Sequence, residues 1–196
     1  MAKLIYMMNT SLDGFVAERD GTFDWSVPTA EVLAMFNELQ RPIGTYLYGR
    51  RLYETMAVWD TAHLRSGDPP FIPDLAELER EFADLWRAAD KIVFSSTLSQ
   101  TSTSRTRLER AFDPDRIRQL KAASERDLTV GGPHLAAAMI AANLVDEIHA
   151  FVHPIIVGAG NAWLPRDLRI PLELVTARRL GAVVYMKYRR DRPNTV

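Results

Sequence analysis

Three short segments combine residue types that hold phosphate. Gly49-Arg50-Arg51, Ser95-Ser96-Thr97 and Gly131-Gly132-Pro133 each follow a short apolar run. Guanidinium groups and hydroxyls form charge-assisted hydrogen bonds to phosphate oxygens. Paired glycines let backbone N–H groups approach a diphosphate, and a helix starting there turns its positive end toward it. Taken singly, Arg-Arg is commonly a solvated face and Gly-Gly a turn. Three such segments at successive strand ends favour a phosphate-bearing ligand, because open α/β sheets bind ligands beyond the carboxyl ends of their parallel strands.

Other chemistries are poorly served. The chain has neither a phosphate-binding P-loop nor a nucleophile elbow. Gly158-Ala159-Gly160 lacks the third glycine of a dinucleotide fingerprint and reads as a turn. There are no cysteines, which excludes disulfides, thiolate nucleophiles and cysteine-ligated metal. His149 and His153 share one face of a predicted strand. At ~3.3 Å per residue their α-carbons stand ~13 Å apart, whereas one metal ion needs both nitrogens at ~2 Å. No metal is expected, and the pair reads as polar residues at a sheet surface or subunit contact. His63 and His134 are isolated in sequence.

The elements that position these residues follow from periodicity. Strands are predicted at Leu4–Met8, Tyr46–Tyr48, Lys91–Ser95 and Asp127–Val130, then Glu147–Val157, Leu172–Ala177 and Val183–Tyr188. Helical spacing of Val32, Leu33, Phe36 and Leu39, of Leu75, Leu78, Phe82, Leu85 and Trp86, and of Leu135, Met139 and Ile140 marks three helices. Asp74 with Glu77 resembles a cap with its reciprocal acid, and Asp113-Pro114 starts a further helix. Residues 60–73 are the most loop-like stretch. Early strands alternate with helices, which argues for a parallel sheet; the last three run together, which argues for antiparallel additions.

The 196 residues suit a single domain over 1–190, with a short polar tail at 191–196. A net charge of −1 gives no overall bias toward nucleic acid or anionic membrane. The N-terminus reaches Asp13 too early for a signal peptide, and no apolar run is long enough to span a bilayer. The expected location is the cytoplasm, which the lack of cysteine fits.

The ordered set SLDGFVA (Ser11–Ala17), GRRLYE (Gly49–Glu54), VFSSTL (Val93–Leu98), VGGPHLAAAM (Val130–Met139) and LVDEIHAFVHPIIVGAG (Leu144–Gly160) resembles the dihydrofolate reductase superfamily. It is closest to the branch containing the reductase domain of the bifunctional riboflavin-biosynthesis deaminase/reductase. The resemblance implies an α/β fold with a mixed sheet of about eight strands, mostly parallel with antiparallel C-terminal strands, flanked by helices. It implies NADPH across the strand ends, with a homodimer as the expected assembly. By position, Gly131, Gly132 and Pro133 would face the pyrophosphate, with His134 beside them. Gly49, Arg50 and Arg51 would face phosphates, Ser95 and Ser96 the 2′-phosphate, and Met8, Asn9 and Val16 the nicotinamide and the adjoining substrate.

Trp25–Glu31 (WSVPTAE) resembles the segment that supplies a carboxylate to folate, but the acid position falls on Ala30, one place before Glu31. Val130 stands where riboflavin-pathway reductases often carry Glu. The expected function is therefore an NADPH-dependent reductase of a small pterin-like, pyrimidine-like or carbonyl substrate. Trp25 and Tyr53 are candidates to stack on a flat ring, and Glu31, Asp24 and Asp13 to supply a proton; of these Glu31, in the first turn of its helix, is expected to orient the substrate or a water, with Asp24 the alternative. The rival reading is a non-catalytic nucleotide-binding or dimeric interaction protein on the same fold.

Overall fold

The computed structural model describes residues 1–62, 70–72 and 74–190. His63, most of the 60–73 loop and the tail from Asp191 lie outside these residues. The strands are β1 (Leu4–Ser11), β2 (Phe15–Glu18), β3 (Ile43–Gly49), β4 (Asp90–Phe94), β5 (Thr106–Glu109), β6 (Asp127–Gly131), β7 (Glu147–His153), β8 (Gly160–Ala162), β9 (Leu172–Leu180) and β10 (Val183–Arg190). The α-helices are α1 (Ala30–Gln40), α2 (Arg50–Met56), α3 (Ala76–Ala88), α4 (Pro114–Ala123) and α5 (Pro133–Ala141).

Eight strands form one sheet in the order β5-β4-β3-β6-β1-β7-β10-β9. All neighbours are parallel except β10, which runs antiparallel to both β7 and β9. The mixed sheet with antiparallel C-terminal strands is thus as expected, except that β7, counted in the sequence among the antiparallel additions, pairs parallel to β1 and belongs to the parallel part. Alternation along the central β1 explains its two faces. Ile5 and Met7 join Val32, Phe82 and Trp86 in a core under α1 and α3. Leu4 and Tyr6 join Ile117, Met139 and Ile140 under α4 and α5.

Helix starts follow local chemistry. Thr29 caps α1 by accepting from the Val32 N–H. Asp113 caps α4 through the Asp115 N–H at 2.9 Å, with Pro114 in the first turn. The expected cap at Asp74 is corrected: Asp74 has φ +66°, and Leu75 holds the cap position with no side-chain bond. The fully buried Glu79 instead pins the preceding segment, accepting from Phe71 N at 2.9 Å and Ile72 N at 2.7 Å.

β7 ends at His153 rather than Val157 because Pro154 has no N–H to continue the ladder. His149 and His153 are also not surface residues; they are 1% and 5% exposed. The Phe151 between them is stacked under Phe36 of α1, with ring centroids 4.2 Å apart. That face of β7 is covered by the chain itself and is not free for a subunit contact. No helix among the described residues is long and apolar enough to cross a membrane.

Candidate cofactor and substrate site

The sheet order sets the carboxyl ends of β4, β3, β6, β1 and β7 side by side. Each of the three phosphate-type segments lies at one of the first three. Gly49 ends β3 and caps α2. Arg50 follows, its guanidinium bonding Glu54 Oε1 at 2.7 Å and Thr97 Oγ1 at 3.0 Å. Arg50 therefore ties the α2 start to the loop after β4. Arg51 is exposed beside it.

That loop is held from within. Ser95 Oγ accepts from Leu98 N at 3.0 Å and Thr97 N at 3.3 Å. Arg110 clasps the loop backbone at Leu98 O (2.5 Å) and Ser95 O (3.4 Å). The Ser95 hydroxyl thus shapes the loop, whereas Ser96 and Thr97 are exposed along it. Arg110 carried no signal in the sequence, because its role depends on carbonyls more than ten residues away.

Gly131 ends β6, and Gly132 caps α5 with φ +92°, a conformation that side chains rarely adopt. A β-carbon on Gly131 would stand 2.5 Å from Leu52 Cδ2 and 2.8 Å from the Tyr48 ring. Gly131 thus makes room for Leu52 and Tyr48 at the end of β6, and the half-buried Gly132 leaves backbone without a side chain at the α5 terminus, where Pro133 occupies the first turn and His134 is exposed. Leu52, which contributes no hydroxyl to a phosphate, is the residue against which Gly131 packs.

A polar corner lies at the ends of β1 and β7. Asn9 sits opposite Phe151 in the register and reaches diagonally to His153, with Oδ1 to Nε2 at 3.0 Å. The Trp25 ring lies edge-on to His153 at 5.5 Å, and the Trp25 Nε1–H is buried without a partner. Burial lowers the His153 pKa. Met8 lies on the opposite face of β1, against the core with Trp163, and Val16 is partly buried on β2.

Two candidate roles change. Tyr53 is 2% exposed, and its hydroxyl bonds Ser102 Oγ at 3.2 Å, Thr103 Oγ1 at 3.1 Å and the Ser102 N–H at 2.8 Å. Its ring is core with no free face for a ligand. Asp13 accepts from Ser11 Oγ (2.6 Å), Gly158 N (2.7 Å) and Val157 N (3.1 Å). These bonds, Ser11's first, hold its carboxyl below the usual range, so it knots two loops rather than carrying a proton. Asp24 and Glu31 are both exposed; Asp24 adjoins Trp25, while Glu31 lies near Gly181 in the β9–β10 turn. Among the described residues no group of three or more His, Asp or Glu is arranged to hold a metal ion.

The sequence profile of the RibD C-terminal domain family matches residues 2–186. The chain belongs to that family. Across 93% of its length it is 26% identical to the uncharacterized protein YyaP of Bacillus subtilis, covering 91% of that protein. Among solved structures, a putative riboflavin biosynthesis protein from Shewanella sp. PV-4 superposes with a TM-score of 0.73 at 21% identity, over 98% of this chain and all of that one. The Thermotoga maritima deaminase/reductase superposes at 0.66 and 16% identity, over 97% of this chain and 57% of that protein. A dihydrofolate reductase from Enterococcus faecalis, solved with NADP(H), superposes at 0.62 and 19% identity, over 97% of each chain. The fold of this chain is therefore dihydrofolate-reductase-like.

Proposed function

We propose that this RibD C-terminal family member is an NADPH-dependent reductase of a small heterocyclic or carbonyl substrate. The observation that carries the reading is the glycine pair at the α5 terminus. Gly132 has a conformation suited to glycine, and at Gly131 a β-carbon would collide with Leu52. Gly131 lets Leu52 and Tyr48 pack beneath, and the backbone of Gly132, without a side chain at the start of α5, suits a diphosphate. Arg50 and Thr97, joined across two neighbouring strand ends, with Arg51 and Ser96 beside them, suit the 2′-phosphate. The cofactor would supply the hydride; the protein supplies binding, orientation and electrostatics. Of the two carboxylates, Asp24 is favoured as proton source by its place next to Trp25, with water as relay.

NADPH is expected to bind at least about tenfold more tightly than NADH, since a charge-assisted contact contributes roughly 1.5–3 kcal/mol and 1.4 kcal/mol is tenfold. Calorimetric titration of both nucleotides checks this, and Arg50→Ala should narrow the gap. Equal dissociation constants in the wild type would remove the assignment. A nicotinamide oxidation screen with carbonyl, pterin and pyrimidine compounds then separates a reductase from a protein that only binds nucleotide.

A second copy is proposed to cover the outer strands, where Leu172, Leu174, Val175 and Val184 stand exposed on β9 and β10. Light scattering at micromolar concentration should give the mass of a dimer. A monomer would contradict this.

A further inference from the structure

Arg110 shapes the loop that carries Ser96 and Thr97, although it stands outside the groups assigned to the cofactor. It follows β5 directly, at the outer edge of the sheet. Its guanidinium donates to three backbone carbonyls of the loop after β4: Leu98 O at 2.5 Å, Ser95 O at 3.4 Å and Ser99 O at 3.4 Å. A guanidinium has donors only, so each oxygen it holds faces Arg110 and is kept from facing an anion. A second guanidinium holds the same loop. Arg50 Nη1 donates to Thr97 Oγ1 at 3.0 Å, while Arg50 Nε is taken by Glu54. The loop thus stands between two arginines, one on its carbonyls and one on a hydroxyl. Ser95 closes the turn from within through neutral bonds, and Arg110 adds the charge-assisted ones. Arg110 itself is exposed and has no carboxylate partner among the described residues; the adjoining Glu109 is paired with Arg107 and Arg116. Water and salt screen an exposed charge, so what Arg110 contributes to the loop is its contacts.

We propose that Arg110 is a positioning residue for nucleotide choice. By holding the carbonyls of Ser95, Leu98 and Ser99 it keeps Ser96 and Thr97 set beside Arg50, in the arrangement that the 2′-phosphate of NADPH requires, without touching the nucleotide. This rests on the reading of the loop as the 2′-phosphate site and adds to it a residue that acts only through others. Groups that contact a ligand are precise only when the residues behind them lock their geometry.

The test compares two variants of the whole protein. Arg110→Met keeps the stem and removes the donors. Arg110→Lys keeps the charge but replaces the planar fork, which reaches several carbonyls, with a single ammonium. Dissociation constants for NADPH and NADH are measured by calorimetry, with thermal melts by circular dichroism alongside. Both variants are expected to lose NADPH affinity about three- to tenfold, the size of one lost hydrogen bond, with the NADH constant unchanged within about twofold. A general loss of structure would weaken both nucleotides together. The loss should also shrink in a Thr97→Val background, because Arg110 acts through the loop residue whose hydroxyl is then gone; independent sites would add. A wild-type preference for NADPH that both variants keep, one that Arg110→Lys alone keeps, or an equal loss of both nucleotides would overturn the proposal. A wild type that binds the two nucleotides alike, or neither, would instead take down the 2′-phosphate assignment, and the proposal with it.

Discussion

Gly132→Val is expected to weaken NADPH binding by about a hundredfold or more while the protein remains folded. Gly132 holds φ +92° at the start of α5, and a β-branched residue there is strained. The cost to stability is about 1–3 kcal/mol, a fraction of the roughly 5–15 kcal/mol of a typical domain. The cost to binding is larger, because backbone bonds to the diphosphate are lost together. Two charge-assisted bonds at roughly 1.5–3 kcal/mol each correspond to two orders of magnitude or more. Calorimetry with NADPH, alongside circular dichroism for folding, reads both quantities. Normal NADPH affinity in the variant would reduce the double glycine to a turn.

Glu147→Ala is expected to destabilise the protein by about 2–3 kcal/mol. The Glu147 carboxylate is 8% exposed and accepts from Lys3 Nζ at 2.7 Å, Lys187 Nζ at 2.8 Å and His149 Nε2 at 3.2 Å. Tyr185 closes the cluster on His149 Nδ1 at 3.1 Å. Removing one partner of a buried pair costs roughly 3–5 kcal/mol; the half-exposed Lys3 brings the expectation down. The same cluster sets the response to acid. Burial works to raise the Glu147 pKa, but bonds from His149, Lys187 and Lys3 outweigh it and hold the carboxyl well below its ordinary value. Its stabilisation is therefore present above the unfolded carboxyl range, near pH 4.5, and is lost as pH falls toward the folded value. His149 and His153 are shifted down by burial, so below about pH 6.5 the unfolded chain takes up protons that the folded one resists. Denaturant midpoints should fall from about pH 6.5 downward and more steeply below pH 4.5. In Glu147→Ala the steeper part should shrink. A profile with no steeper fall below pH 4.5, or one unchanged in Glu147→Ala, would contradict the cluster's role.

The strands and helices with long periodic runs were legible in the sequence. The alternation in β1 and the 3.6-residue spacing of α1 reflect burial on both sides of one sheet. β2, β5 and β8 were not legible: at three or four residues each, they are strands only because β8 pairs with β2 and β5 extends the sheet beyond β4. The phosphate-type segments were visible because glycine, arginine and serine chemistry is local. The roles of Ser95 and Tyr53 were not, since the hydroxyls of both are spent on a loop whose shape is decided by Arg110 and by Ser102 and Thr103. His149 and His153 looked like a surface pair for the same reason. Besides Glu147 two residues from His149, the groups that bury them lie far off along the chain, Tyr185 for one and Asn9 for the other, and helix α1 covers their face.

The most direct measurement is a crystal structure of the protein soaked with NADPH. The expected result places the diphosphate against the backbone of Gly131, Gly132 and Pro133, the 2′-phosphate among Arg50, Arg51, Ser96 and Thr97, and the nicotinamide toward the Asn9 end of β1. Nucleotide bound elsewhere, or no nucleotide at saturating concentration, would contradict the assignment of this sheet edge as a cofactor site.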